Sequence, residues 1–269
     1  MTVAAIQMTT GADRDANLAI ASDLLREAAA GGASVAALPE NFAFMGVKEA
    51  DKQAIAESDG AGPIQDFLAA TARELGLWIV GGTIPLRTAT AGRVAAACLV
   101  YGADGARRAR YDKIHLFDVR VSEREEYRES ATVMPGGTPV VLDTPVGRLG
   151  LAVCYDVRFP ELFRRLGAAG AQWFCLPSAF TAPTGRAHWE TLLRARAIEN
   201  LCYMVAPAQS GVHANGRETY GDSMIVDYWG RVLARLPRGR GVISARLEPA
   251  RQEETRRTFP ALSHRVLEE

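Results

Sequence analysis

The sequence predicts an α/β fold. Short apolar runs alternate with longer amphipathic stretches, glycine or proline punctuates most boundaries, and nothing approaches the ~18–20 apolar residues of a membrane span. Residues 3–8 read as a strand. Residues 17–30 place Leu18, Leu24, Leu25 and Ala28 at helical spacing, and Gly31-Gly32 supplies the freedom to end that helix. Residues 34–38 form a second strand, stopped by Pro39. Pro63 opens a helix where its missing amide costs nothing, and Gly76 closes it before a strand at 77–80.

Residues 94–101 and 107–111 read as paired strands across a Gly102–Gly105 turn. Residues 114–138 are polar and irregular, a long loop of the kind that usually carries function. A continuous apolar strand follows at 148–154, then a helix at 161–169, a strand at 173–176, an amphipathic helix at 186–200 and a strand at 202–206. Residues 223–227 and 232–235 suggest a hairpin around Trp229-Gly230, and 241–247 add a last strand. The charged final twenty residues are expected to fray or reach a neighbouring subunit. With no internal repeat, low-complexity segment or linker, residues 1–269 read as one domain.

Composition narrows the function classes. Hydrophobic residues make up 48% and charged residues 23% of the 269, ordinary for a globular chain. Lys plus Arg and Asp plus Glu both number 31, so the basic surplus of a nucleic-acid binder is absent. Residues 1–8 are too short and lack the basic lead-in of a signal peptide. Cys98, Cys154, Cys175 and Cys202 are far apart, without the CxxC spacing of zinc or redox sites, and three lie in apolar strand-like runs. A reducing cytoplasm is the expected compartment. No GxGxxG turn supports a dehydrogenase and no GxSxG elbow a serine hydrolase. His115, His188, His213 and His264 are too scattered for a zinc hydrolase. His188 is expected to open a helix, where it caps or packs rather than ligates.

Three segments carry candidate chemistry. In Gly150-Leu-Ala-Val-Cys154-Tyr-Asp-Val-Arg-Phe-Pro-Glu-Leu162, an apolar strand ends at a cysteine before Pro160 starts a helix. Amides at such a turn and a nearby cation favour thiolate and lower the thiol from its free pKa of ~8.5, although a lone cysteine is more often plain core. In Ala37-Leu-Pro-Glu40-Asn-Phe-Ala-Phe44 a carboxylate follows a strand's carboxyl end, where ligands gather in α/β sheets. Desolvation beside Phe42 and Phe44 would raise its pKa and suit a general base, whereas the bland alternative is a surface turn. In Arg110-Tyr-Asp-Lys113-Ile-His-Leu-Phe-Asp118 a lysine ends a strand and can serve an oxyanion; the alternative is a solvated side chain.

Taken together, in the order Glu, Lys, Cys, these segments resemble the catalytic signatures of the nitrilase, or carbon-nitrogen hydrolase, superfamily. The likeness runs along nearly the whole chain and extends to Glu129 in Tyr127-Arg-Glu-Ser130 and to the His188-Trp-Glu190 helix. The resemblance implies a four-layer αββα sandwich and subunits paired through helices into at least a dimer. It implies a cysteine-dependent amidase with Cys154 as nucleophile, Glu40 as base, Lys113 beside the oxyanion and Glu129 holding the lysine. It also implies chemistry that needs no metal or organic cofactor. Pro177-Ser-Ala-Phe180, Thr184-Gly185 and Tyr220-Gly-Asp-Ser-Met-Ile-Val-Asp-Tyr-Trp-Gly230 are similar to the deaminated-glutathione amidase branch. The sister ω-amidases, which act on 2-oxoglutaramate, usually carry glycine where Ser178 stands. The chain departs from the family after Leu-Phe-Asp-Val, where Arg120-Val-Ser-Glu-Arg124 replaces a Gly or Pro position.

For substrate contacts, the Tyr155 amide is expected to join the oxyanion site and Phe180 and Thr181 to line the pocket. Arg158 is expected either to fork onto a substrate carboxylate or to pair with Asp156 or Glu161. Arg194, Arg196 and Glu199 read as a charged helix face or a subunit seam. A non-catalytic binding protein on the same fold is the main alternative to an enzyme.

Overall fold

A computed structural model describes residues 1–123 and 125–267. Among these, two large sheets pack face to face, and strand alternation shows how. In Thr2–Gln7, Val3 and Ala5 point between the sheets, while Ala4 and Ile6 point outward to helices α1 (Arg14–Ala30) and α2 (Pro63–Leu75). Val35 and Ala37 against Ala36 and Leu38 repeat this division. The eight-stranded first sheet runs Gly241–Arg246, Thr2–Gln7, Ala33–Ala37, Trp78–Val80, Val94–Tyr101 and Ile84–Arg87, with Arg107–Asp112 and Val133–Met134 also paired to Val94–Tyr101. The second has six strands: Val140–Thr144, Gly147–Leu151, Trp173–Cys175, Tyr203–Ala206, Ser223–Val226 and Val232–Leu236. Helices α3 (Pro160–Ala168) and α4 (Ala182–Asn200) cover its outer face through Phe163, Leu166, Trp189 and Leu193. The expected αββα sandwich is the fold.

Local chemistry explains the boundaries that position the site. Asp13 caps α1, its carboxylate accepting from the Ala16 amide at 3.1 Å. Pro63 is the first residue of α2, whose free amides at Ile64 and Gln65 donate to the buried Glu57 carboxylate at 2.5 and 3.2 Å. Gly76 ends it at φ 60°. Among the described residues no helix is long and apolar enough to cross a membrane.

Several expectations need correction. The segment read as an irregular loop at 114–138 contains a hairpin, Asp118–Ser122 against Glu125–Arg128, and a strand, Val133–Met134, in the first sheet. Its faces are dressed with ion pairs such as Arg120–Glu126 at 3.5 Å, which hid the strand alternation behind charge; Arg124 lies outside the described residues. Strands Ile84–Arg87 and Val140–Thr144 and the hairpin Ser210–Val212 with Glu218–Tyr220 were not anticipated. Helix α4 begins at Ala182, so His188 sits in its second turn instead of opening it. The first part of the charged C-terminal segment is docked. In α5 (Pro249–Thr258) the Gln252 amide donates to the Gln172 and Leu201 carbonyls at 2.6 and 2.7 Å, and Arg256 reaches Ala171 O at 3.0 Å. Arg196 is turned inward, its Nε donating to Val157 O at 2.8 Å, so it is no part of an exposed charged face.

Candidate active site

Strand ends from both sheets converge on one pocket. Glu40 follows the strand Ala33–Ala37, and Gly82 fixes that end. At φ +55°, a Cβ on Gly82 would lie 2.1 Å from Pro39 O, so only glycine lets the two backbones meet. Lys113 follows the strand Arg107–Asp112, its amide bonded to Ala96 O at 3.0 Å and its carbonyl to Gly136 N at 2.8 Å. Glu129 starts a short 3-10 turn directly after the charged hairpin.

Cys154 comes from the second sheet, three residues past Gly147–Leu151, in the left-handed region at φ 47°. A non-glycine residue holds that conformation only when its surroundings impose it. Here the Cys154 amide donates to Pro177 O at 3.0 Å, and the fully buried Asp156 carboxylate gathers the turn beneath it. Asp156 accepts from Val153 N at 2.8 Å, Tyr111 Oη at 2.7 Å and His115 N at 3.0 Å, and meets His115 Nδ1 at 2.7 Å. The His115 ring stacks on Phe159 with centroids 3.7 Å apart.

The polar centre is a cation between carboxylates. Lys113 Nζ donates to Glu40 Oε1 at 2.8 Å and to Glu129 Oε1 and Oε2 at 3.0 and 2.8 Å, which occupies all three ammonium protons. Glu40 Oε2 also accepts from Ala179 N at 2.8 Å, and Glu129 Oε2 from Phe117 N at 2.7 Å. Burial opposes the Lys113 charge, yet Glu129 and Glu40 outweigh it and hold the ammonium well above the usual lysine range. Glu129 is buried too, but Lys113 and Lys52 keep its carboxyl below the usual value.

Cys154 behaves differently from the expectation of a thiolate. Burial raises the thiol far above its ordinary range and the Glu40 charge adds to this, while Lys113 and the Ala179 amide pull the other way without prevailing. One lysine between two carboxylates favours a further anion beside it only once Glu40 has taken up a proton. Nor does Glu40 lie in an apolar nest: its partners are donors, and the Phe42 ring packs in the outer core near Phe67, centroids 6.5 Å apart.

These groups open into one pocket. Its wall includes Tyr155, Phe180 and Thr181, so the structure brings seven of the expected residues together: Glu40, Lys113, Glu129, Cys154 and these three. Arg158 is not among the lining residues. Its guanidinium lies over the rings of Phe180 and Tyr155, at 5.2 and 5.7 Å, and Nη1 is 3.3 Å from His188 Nδ1. Among the described residues it pairs with neither Asp156 nor Glu161. The wall instead carries cations that sequence reasoning missed: Lys52, Arg128 and Arg217. The Asn215-Gly216 dipeptide before Arg217 is a turn signal that could have exposed its hairpin.

The profile of the family described as carbon-nitrogen hydrolase matches residues 2–257. The chain belongs to that family. It is 44% identical over 268 residues to a Synechocystis protein named deaminated glutathione amidase, covering 98% of this chain and 97% of that one. The crystal structure of the Caenorhabditis elegans NitFhit protein superposes with TM-score 0.91 at 37% identity; the match covers 98% of this chain and 65% of that chain. Saccharomyces cerevisiae Nit3, described as a member of branch 10 of the nitrilase superfamily, gives TM-score 0.89 at 28% identity over 99% of this chain and 97% of that one. In this carbon-nitrogen hydrolase the residues that carry the resemblance are the same ones that the two sheets draw into the pocket.

Proposed function

We propose that this carbon-nitrogen hydrolase is an amidase that cleaves deaminated glutathione to 2-oxoglutarate and cysteinylglycine through a thioester on Cys154. The observation that carries the reaction is the Lys113 ammonium held between Glu40 and Glu129 on the wall that also bears Cys154. The substrate follows from the name of the Synechocystis relative together with its near-complete coverage.

Glu40 takes the thiol proton as Cys154 Sγ attacks the amide carbon. Burial and the neighbouring Glu40 charge favour the neutral thiol, so this reading couples proton transfer to attack rather than starting from a standing thiolate. The tetrahedral oxyanion is met by the Lys113 ammonium and the Tyr155 backbone amide; losing one such donor typically costs ~10²–10³ in rate. Lys113 has no spare proton at rest, so it yields a Glu129 contact or acts through charge alone. Collapse breaks the C–N bond, and Glu40 delivers its proton to the departing amine. Glu40 then takes a proton from water, which attacks the thioester, and the thiol is restored as 2-oxoglutarate leaves. Glu129 positions Lys113 throughout, while Phe180 and Thr181 bound the acyl half. None of these steps calls on a metal or cofactor.

The test is release of 2-oxoglutarate from deaminated glutathione and from 2-oxoglutaramate side by side, with Cys154→Ala as control. The reading requires a higher kcat/KM for the first. Preference for the second would assign the chain to the ω-amidases, and turnover of neither, with folded protein, would leave a binding protein on this fold.

Homodimerisation is part of the proposal. Ile198, Trp229 and Phe259 are exposed large apolar side chains, and Trp229 and Phe259 meet edge to face with centroids 5.5 Å apart. Four buried, free cysteines fit a cytoplasmic setting. A monomer by sedimentation would remove the first of these claims.

A further inference from the structure

The catalytic pocket does not end at Glu129. A second cavity shares Asn41, Glu49, Lys52, Glu129 and Arg217 with it, so the two form one cleft. The extension runs on toward Lys48 and Asn215. Among its described lining residues, outside the catalytic cluster, Lys48, Lys52 and Arg217 face one carboxylate, Glu49, which Lys52 holds at 2.7 Å. A cleft of this sign suits an anionic group.

Direction comes from the mechanism. Glu40 hands its proton to the departing amine, so the leaving half of the substrate lies on the Glu40 side of Cys154. Asn41, next in the chain, lines both cavities, and on that side the cleft continues into the cationic extension.

Arg217 stands at the junction. It sits at the tip of the hairpin Ser210–Val212 and Glu218–Tyr220, and its backbone is pinned on both sides. Its carbonyl accepts from His213 N at 2.9 Å, and its amide donates to Asn215 Oδ1 at 3.0 Å. Its Nη2 donates to Ala179 O, the residue whose amide holds Glu40, and the guanidinium lies 4.9 Å from the Tyr127 ring centroid. Among the described residues it has no carboxylate partner, and its buried Nε has no hydrogen-bond acceptor at all. A guanidinium placed on the pocket wall with no carboxylate partner among the described residues suits an incoming carboxylate.

We propose that Arg217, assisted by Lys52, binds the terminal carboxylate of a dipeptide-like leaving group in this extension, which makes the cleft selective for an extended amide over a primary one. The inference rests on the amidase reading for its direction and adds the specificity-determining residue.

A binding experiment separates the two. Alanylglycine and its C-terminal amide are compared as protectants of Cys154 against iodoacetamide, in the wild type, Arg217→Ala and Arg217→Lys. This needs no turnover, and the unprotected alkylation rate reports whether each variant keeps its site folded. The expected result is protection by the acid at a concentration at least about tenfold lower than by the amide. That preference should vanish in Arg217→Ala and survive in part in Arg217→Lys, the factor of ten corresponding to one charged contact. Equal protection by acid and amide in the wild type, or an undiminished preference in Arg217→Ala, overturns the subsite. Failure of the wild type to release 2-oxoglutarate from deaminated glutathione would instead overturn the reaction, and the protection result would still decide whether the extension binds a carboxylate.

Discussion

The Lys113 ammonium and the Glu40 carboxylate meet at 2.8 Å although they lie 73 residues apart and follow different strands of the first sheet. Both are buried, and with Glu129 they form a cluster in which each charge depends on the others. Removing the cation is therefore worse than removing a surface charge. Lys113→Met should lower stability by about 3–5 kcal/mol, because two carboxylates are left buried without a partner. Denaturant titration measures this directly; a loss under ~1 kcal/mol would mean that water already solvates the cluster.

The same cluster sets a pH window. The Glu129 carboxyl is depressed, so its contribution is present above its unfolded value and is lost as pH falls through its lower folded value. Lys113 is raised, so its contribution is full below its unfolded value and is lost only as pH rises through the higher folded one. Wild-type stability should then show no titration of this cluster between about pH 5 and pH 10, the two unfolded values, whereas the deficit of Lys113→Met should grow as pH rises and its two orphaned carboxyls are forced to ionise in the buried site. A deficit that shrinks as pH rises contradicts the assignment.

Cys154 titrates with the opposite consequence. Its thiol is pushed up by burial and by Glu40, so alkylation of the free protein should show no inflection near the ordinary cysteine value of ~8.5 and should still be rising at about pH 10. A plateau below pH 8 would mean a standing thiolate, and the coupled transfer to Glu40 would have to be abandoned.

Much of this was legible in the chain. The strand Thr2–Gln7, the Pro63 and Gly76 limits of α2 and the three motif ends were readable because local signals and tertiary structure agree there. The hairpin before Glu129 was not, because its cross-strand order is written in charges whose pairing exists only once the strands meet. Arg196 misled for a similar reason: it reads as a surface charge, yet its guanidinium is buried under the nucleophile turn on Val157 O. Arg158 and Arg217 illustrate the limit for a site. Proximity to Cys154 in sequence drew attention to the first, while the hairpin that delivers the second to the wall is a long-range arrangement.

The sequence offers Asp156 only as a possible partner of Arg158, whereas the structure makes it the keystone of the nucleophile turn. Asp156→Ala orphans three donors at ~1–3 kcal/mol each and should cost on the order of 4 kcal/mol. The strained Cys154 backbone should relax with it, so kcat is expected to fall in a variant that remains folded at low temperature. Full activity in folded Asp156→Ala would show that the turn holds itself.

Gly82→Ala tests the opposite wall. The added methyl meets Pro39 O in a left-handed backbone, which should cost about 2–5 kcal/mol from strain and overpacking combined. Because Pro39 leads into Glu40, kcat should drop more than KM rises. An unperturbed melting temperature would show that the strand end can move aside.

The most direct test of the account is the covalent intermediate. Protein mixed with deaminated glutathione and quenched in acid should carry one 2-oxoglutaryl group by intact mass, mapped by peptide analysis to Cys154 and absent from Cys154→Ala. Turnover of that substrate with no adduct, or an adduct on any other residue, would contradict the thioester route and the roles assigned to Glu40 and Lys113.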